Sequence, residues 1–323
     1  MARPTYLPDN FTLSLAFTVL VASVLPCSGT IAKAFNAATV IAIALLFFLH
    51  GAKLSRESVV AGLTHWRLHL VVLASTFMLF PLLGLLLKPI MLQLVTPELY
   101  LGILFLCVLP STIQSSIALT SLARGNVPAA VCSASASNLL GMFISPLLVG
   151  LLFAGTGASH FSLGAIVTIV VQLLLPFVAG QMARKHIGGW VERNKSKLRV
   201  VDQGSILLVV YTAFSDAVNQ GLWHQLPGHA LAGLVIVNVL LLAIALVVST
   251  LCSRRLGFSR QDEITIVFCG SKKSLSSGVP MAKVLFAGHA IGMMVLPLML
   301  FHQIQLMTCS ILAQRYARRS GLT

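Results

Sequence analysis

From Cys269 to Pro280 the chain reads Cys-Gly-Ser-Lys-Lys-Ser-Leu-Ser-Ser-Gly-Val-Pro, with the apolar runs Ile264–Phe268 and Met281–Phe286 on either side. Two adjacent amines among serines suit the binding of an anion, the exchange of a proton, or the replacement of a bound cation. Hydrocarbon holds no water for backbone groups, so a helix broken at membrane depth persists only where protein or a water-filled cavity surrounds it. Ionisable side chains at that depth are expensive and mark a functional site. The stretch is therefore read as the centre of a transport site, with Ser271, Lys272, Lys273 and Ser274 at its middle. The bland reading, that both lysines snorkel to an interface, fits poorly with five to ten residues separating them from each apolar flank.

A second interrupted run, Leu109-Pro110-Ser111-Thr112-Ile113-Gln114-Ser115-Ser116, offers hydroxyls and an amide at a proline break. Further candidates are Thr76, five residues before Pro81; Ser133, Ser135, Ser137 and Asn138; and His302, Gln303 and Gln305. Small and hydroxyl residues also serve helix packing, so these weigh less than the lysines. His50 and His69 flank a basic loop and read as interfacial.

The elements that must position these residues follow from composition. The 323 residues are 57% hydrophobic and 9% charged, against about 25% charged in soluble chains. Apolar runs of about 20 residues, the length needed to cross a bilayer, recur throughout. The fold class is thus an all-α integral membrane protein. Ten spans are expected: Phe11–Pro26, Ala32–His50, Leu68–Leu87, Tyr100–Ala123, Val127–Phe153, Leu163–Ala183, Gly204–Val218, Leu231–Cys252, a ninth holding the Cys269–Pro280 break, and Met293–Ala313. With both termini cytoplasmic, 17 of the 22 Lys and Arg residues fall inside and only Lys33, Lys88 and Lys283 outside, as the positive-inside rule requires. The net charge of +14 is then a matter of topology, and nucleic acid is not an expected partner. The N-terminus shows no cleavable signal, so the first run reads as a retained span. Six cysteines without CxxC or ligand spacing read as small buried hydrophobes.

The two halves match. Residues 1–154 end in a broken fourth span and a polar fifth, and residues 155–323 in a broken ninth and a polar tenth. An odd number of spans per repeat inverts the second copy, the arrangement of secondary transporters whose sites form where broken helices meet. No His-Glu-x-x-His, Gly-x-Ser-x-Gly or paired membrane carboxylates point to an enzyme.

The runs Leu109–Ser116, Leu122-Ala123-Arg124-Gly125-Asn126-Val127 and Phe268–Pro280 resemble the bile acid:sodium symporter superfamily (solute carrier family 10). The Lys-Lys-Ser version resembles its orphan branch, represented in animals by the seventh member. The resemblance covers nearly the whole chain. It implies two inverted five-helix repeats, with helices 4 and 9 crossing in a core domain (helices 3–5 and 8–10) beside a panel domain (helices 1, 2, 6 and 7). It also implies a sodium-coupled carrier, from which this chain departs. The family's helix 9 carries Glu-x-x-x-Gln-Asn-Ser, and Phe268, Lys272 and Lys273 occupy its sodium-holding positions, with Ser274 kept. Thr76 stands where a helix 3 glutamine completes the second sodium site, and Gln114-Ser115-Ser116 replaces a Ser-Asn pair. The acids of the chain lie in or near loops and span ends.

Sodium would there meet oxygen dipoles and two ammonium groups, and like charge at short range in low dielectric is unfavourable. The expectation is that Lys272 replaces the cation and points into the crossing between Gln114 and Ser116. Lys273, about 100° further round a helix, would meet an anionic solute or the cavity. No cofactor is expected, and sodium or proton coupling stays open. The expected function is secondary active transport of an organic solute, anionic or amphipathic, by alternating access within the lipid bilayer. The alternative is a regulatory membrane protein with a vestigial site, acting on ion homeostasis through partners.

Overall fold

The computed structural model describes residues 10–53, 65–153, 163–286 and 291–319; Arg3, Arg56 and the loop Gly155–Ser162 lie outside them. The described residues form helices and no strands. In chain order they are α1 (Asn10–Val24), α2 (Gly29–Lys53), α3 (Trp66–Leu86), α4 (Lys88–Leu94), α5 (Pro97–Val108), α6 (Gln114–Leu122), α7 (Val127–Phe153), α8 (Leu163–Arg193), α9 (Lys195–Asn219), α10 (Leu222–Gln225), α11 (Gly228–Arg255), α12 (Arg260–Gly270), α13 (Leu275–Leu285) and α14 (Ile291–Arg319). Six of them, α2, α3, α7, α9, α11 and α14, are long and apolar enough to cross a membrane. Leu86, Leu151 and Met182 are each more than 70% exposed, part of an outward apolar surface that suits hydrocarbon. The chain is a multi-pass integral membrane protein.

Sequence expectation and structure differ in three places. The basic stretch from Arg184 to Arg199 is helical, completing α8 and opening α9, because it holds no proline and only Asn194 interrupts it. The short helices α4 and α10 were not anticipated, each being too brief for periodicity to reveal. In the middle of α3, Ser75–Leu79 form a π-turn in which Phe80 N–H donates to Ser75 O.

Packing follows small residues. A Cβ on Gly51 would lie 2.0 Å from Phe177 O, and one on Gly180 1.9 Å from Phe48 O. The backbones of α2 and α8 therefore touch, as close-packed membrane helices do through glycine. Helix α9 packs on α1 and α2, whereas α14 packs on α5, α11 and α13, and α12 on α3, α6, α7 and α11. The turn Arg124-Gly125-Asn126, with Arg124 at φ 61°, docks on α12. Asn126 N–H donates to Gln261 O at 3.1 Å and Asn126 Nδ2 to Asp262 Oδ1 at 2.9 Å, fixing α12 against the start of α7.

Candidate functional site

Two interruptions meet in the interior: residues 109–113 between α5 and α6, and residues 271–274 between α12 and α13. At the first, Pro110 has no N–H and its ring stops the helix. Carbonyls stranded inside protein must then find other donors, and each does so differently. Leu109 N–H takes Leu106 O at 3.3 Å, and Ser145 Oγ donates to Val108 O at 2.7 Å. Ser274 N–H donates to Pro110 O at 2.8 Å, and Asn138 Nδ2 to Ser111 O at 2.8 Å. The remaining pair, Cys107 O and Leu109 O, each accept from Lys273 Nζ at 2.8 Å.

The same ammonium donates a third bond, 2.8 Å to Thr76 O. The π-turn explains why that oxygen is open. Phe80 N–H has moved to Ser75 O, and the next residue, Pro81, has no N–H to give. The Phe80 ring lies 4.2 Å from Lys273 Nζ, within cation–π range. An ammonium has three N–H donors, so all three of Lys273 are used in a site with no solvent exposure.

The second interruption is held from α14. Gln305 Oε1 accepts from Lys273 N–H at 2.9 Å and its Nε2 donates to Lys273 O at 3.0 Å, grasping both faces of one peptide residue. Gln305 Nε2 also lies 3.0 Å from His302 Nδ1. Ser111 Oγ donates to Cys269 O at 2.6 Å and Ser116 Oγ to Phe268 O at 3.2 Å, so hydroxyls of the first break and of the start of α6 satisfy carbonyls near the end of α12. Ser274 caps α13, its Oγ accepting from Ser277 N–H at 3.2 Å.

The lysine roles differ from expectation. The ammonium among the carbonyls of the crossing is that of Lys273. Lys272, equally buried, has no hydrogen-bond partner for its Nζ, and neither lysine lines the cavity beside the crossing. Residues 272–274 are not helical and Ser274 is extended, so adjacent side chains diverge more than the 100° that a helix gives.

Beside the crossing lies a cavity of about 620 Å³ between α2, α8 and α9 on one side and α6, α7, α13 and α14 on the other. Of the candidates, Thr112, Gln114, Ser115, Ser135, Asn138 and His302 line it. Ser116, Ser271, Ser274, Thr76 and Gln305 are buried behind it. Ser137 accepts from Ser111 N–H at 3.0 Å, and Ser133 Oγ lies 2.6 Å from His69 Nδ1, so the His69 side chain is buried between α3 and α7. Gln303 does not line the cavity.

Sequence reasoning missed the opposite wall, where His50, Lys53, Arg199, Asp202 and Gln203 face the cavity among Phe47, Phe177 and Ile206. Lys53 pairs with Asp202, so an acid assigned to a span end is a buried member of this wall. The spacing 199, 202, 203, 206 is that of one helix face, and it was the available signal. Among the described residues no three His, Cys, Asp or Glu side chains are grouped to hold a metal ion.

Comparison with known proteins identifies the family. Residues 9–318 match the model of the SBF-like CPA transporter family. PA2026, an uncharacterized protein of Pseudomonas aeruginosa, is 69% identical over 319 residues, 99% of this chain and 96% of that protein. YfeH of Escherichia coli, whose name marks it as a candidate symporter, is 58% identical over 315 residues, 97% of this chain and 94% of that protein. Sodium/bile acid cotransporter 7 of Mus musculus is 31% identical over 275 residues, 84% of this chain and 81% of that protein. A small-molecule solute and the lipid bilayer are therefore its surroundings, and a transporter is its class. The chain belongs to the SBF-like CPA transporter family, within the bile acid:sodium symporter superfamily.

Proposed function

We propose that the chain moves an organic anion or amphipath across the membrane by alternating access, with the Lys273 ammonium in place of a coupling sodium ion. The observation that carries this reading is the set of three main-chain carbonyls, from α3, the end of α5 and the first break, that converge on Lys273 Nζ. Oxygens placed this way are what a desolvated monovalent cation requires. A sodium ion about 4 Å from the ammonium would be repelled by about 4 kcal/mol at an effective dielectric of 20. The residues present therefore do not fit sodium at the crossing.

In this reading the chain crosses ten times as two inverted repeats, 1–154 and 155–323. The half-helices α5 with α6 and α12 with α13 make spans 4 and 9. Spans 3–5 and 8–10 form a core, spans 1, 2, 6 and 7 a panel, and the cavity lies between them. Its apolar wall of Phe47, Phe177, Leu139 and Met142 suits the body of an amphipath, and Arg199, Lys53 and His50 suit an anionic end. Thr112, Gln114, Ser115, Ser135 and Asn138 would supply hydrogen bonds from the core side, while Ser271, Ser274, Ser116, Thr76 and Gln305 hold the crossing in shape. Both termini and the basic rim of the cavity would face the cytoplasm.

Uptake of labelled amphipathic organic anions, a bile acid among them, into proteoliposomes tests the reading. Uptake that does not respond to a sodium gradient is expected. Sodium-driven uptake would overturn the cation replacement, and a folded protein that moves none of the anions would favour the regulatory alternative.

A further inference from the structure

The cavity ends where α9 meets α13 and α14, and that seal has a distinct chemistry. Helix α9 lines the cavity at Arg199, Asp202, Gln203 and Ile206. Ten residues beyond Ile206, about 15 Å along a helix, Asp216 Oδ2 accepts from Lys283 Nζ at 2.8 Å. Lys283 belongs to α13, whose first residues Leu275 and Ser276 line the same cavity. The pair therefore ties the far ends of the two helices that flank the cavity. Its side chains are 16% and 28% exposed, enough burial for the attraction to exceed that of a free surface pair.

Among the described residues it is also the one ion pair that joins the proposed panel to the proposed core. Lys53–Asp202 links α2 to α9 within the panel, Arg254–Glu263 links α11 to α12 within the core, and Lys195–Glu192 is local. A second contact marks the same seal. A Cβ on Gly292, at the start of α14, would come within 2.6 Å of Ala217 Cβ, the neighbour of Asp216. At Gly292 the panel and core approach as closely as glycine allows.

We infer that Asp216 and Lys283 are the outer gate of this carrier, an ion pair that holds panel and core together on the side away from the basic rim and must part for the cavity to open there. Lys283 is one of only three cations that the sequence places outside, and it is the one spent on this pair. The inference rests on the alternating-access reading above.

The test uses the full chain with Cys252→Ser, which removes the exposed native thiol, and Ser276→Cys as a reporter in the cavity. A membrane-impermeant maleimide is applied to vesicles of either orientation. Labelling from the basic-rim side is expected in this background. Asp216→Asn and Lys283→Met should each raise labelling from the opposite side by about tenfold, within the range of coupling between two conformations. Gly292→Val, which wedges the same seal without touching a charge, should act in the same direction. The exchange Asp216→Lys with Lys283→Asp should return labelling to background. Unchanged outer labelling in Asp216→Asn and Gly292→Val would overturn the gate and leave transport standing. A reporter that labels from neither side in any variant would overturn alternating access together with the gate.

Discussion

Lys272 and Lys273 are adjacent, share a residue type and are both fully buried, yet their ammonium groups stand in opposite situations. Lys273 donates to three carbonyls at 2.8 Å and sits on the Phe80 ring. Lys272 Nζ has no hydrogen-bond partner. The effective penalty for burying one ion is several kcal/mol. Hydrogen bonds to a charged group each return about 1.5–3 kcal/mol, so three of them offset that penalty for Lys273 and nothing comparable does so for Lys272. Burial alone therefore says little about role. What separates the two is whether the backbone nearby has carbonyls to spare, and the carbonyls that meet Lys273 are spare because Pro110 and the π-turn before Pro81 have interrupted a helix.

The largest expected effect is at Lys273. Lys273→Met removes the ammonium that donates to Thr76 O, Cys107 O and Leu109 O and takes a buried hydrogen bond from each of the three carbonyls. Breaking a buried charged arrangement from one side costs about 3–5 kcal/mol, which chemical or thermal unfolding in detergent would register. The smaller Lys273→Ala leaves a void ringed by the same oxygens. Sodium should raise the unfolding temperature of that variant and not of the wild type, since a ligand that binds only the folded state stabilises it by mass action. A wild type stabilised specifically by sodium would erase the distinction between the lysines as a cation and a bystander.

How far this was legible in sequence depends on which physical signal each feature leaves. The breaks at Pro110 and at Ser271–Ser274 were legible, because proline, glycine and clustered hydroxyls do not continue an apolar helix. That the breaks should meet followed from the matched halves of the chain. Which lysine enters the crossing was not legible, since the 100° helical offset does not apply to residues 272–274, which leave the helix. The π-turn was hidden as well: Pro81 signals a disturbance, but Thr76 O is freed by a register change that leaves no residue-type signature. The cavity wall of His50, Lys53 and Asp202 was hidden for another reason. Charged residues at span ends look like loop residues until neighbouring helices are seen to enclose them.

Smaller effects are expected in the frame around the lysines. Gln305→Leu strands both Lys273 N–H and Lys273 O, for about 2–3 kcal/mol at a buried site. It should also loosen the path of the second break and so weaken the sodium rescue of Lys273→Ala in the double variant. Ser145→Ala strands only Val108 O, and about 1 kcal/mol is expected. If Ser145→Ala proved as costly as Gln305→Leu, the stability of the crossing would lie in the first break, and Gln305 would matter only for packing.

The smallest effect, and the one that sharpens the comparison most, is at Lys272. Replacing a buried ion with an apolar side chain of similar volume is often neutral or stabilising, by about 1–4 kcal/mol. Lys272 has no hydrogen bond to lose. Lys272→Met should therefore unfold at the wild-type temperature or above it, while Lys273→Met unfolds well below. Unfolding temperatures of the two single variants and the double variant decide the matter. If Lys272→Met is as destabilised as Lys273→Met, the two ammonium groups act as one unit and the division of roles between them fails. If stability is unchanged while anion uptake falls, Lys272 is kept for transport at no benefit to the fold, which is the signature expected of a functional charge.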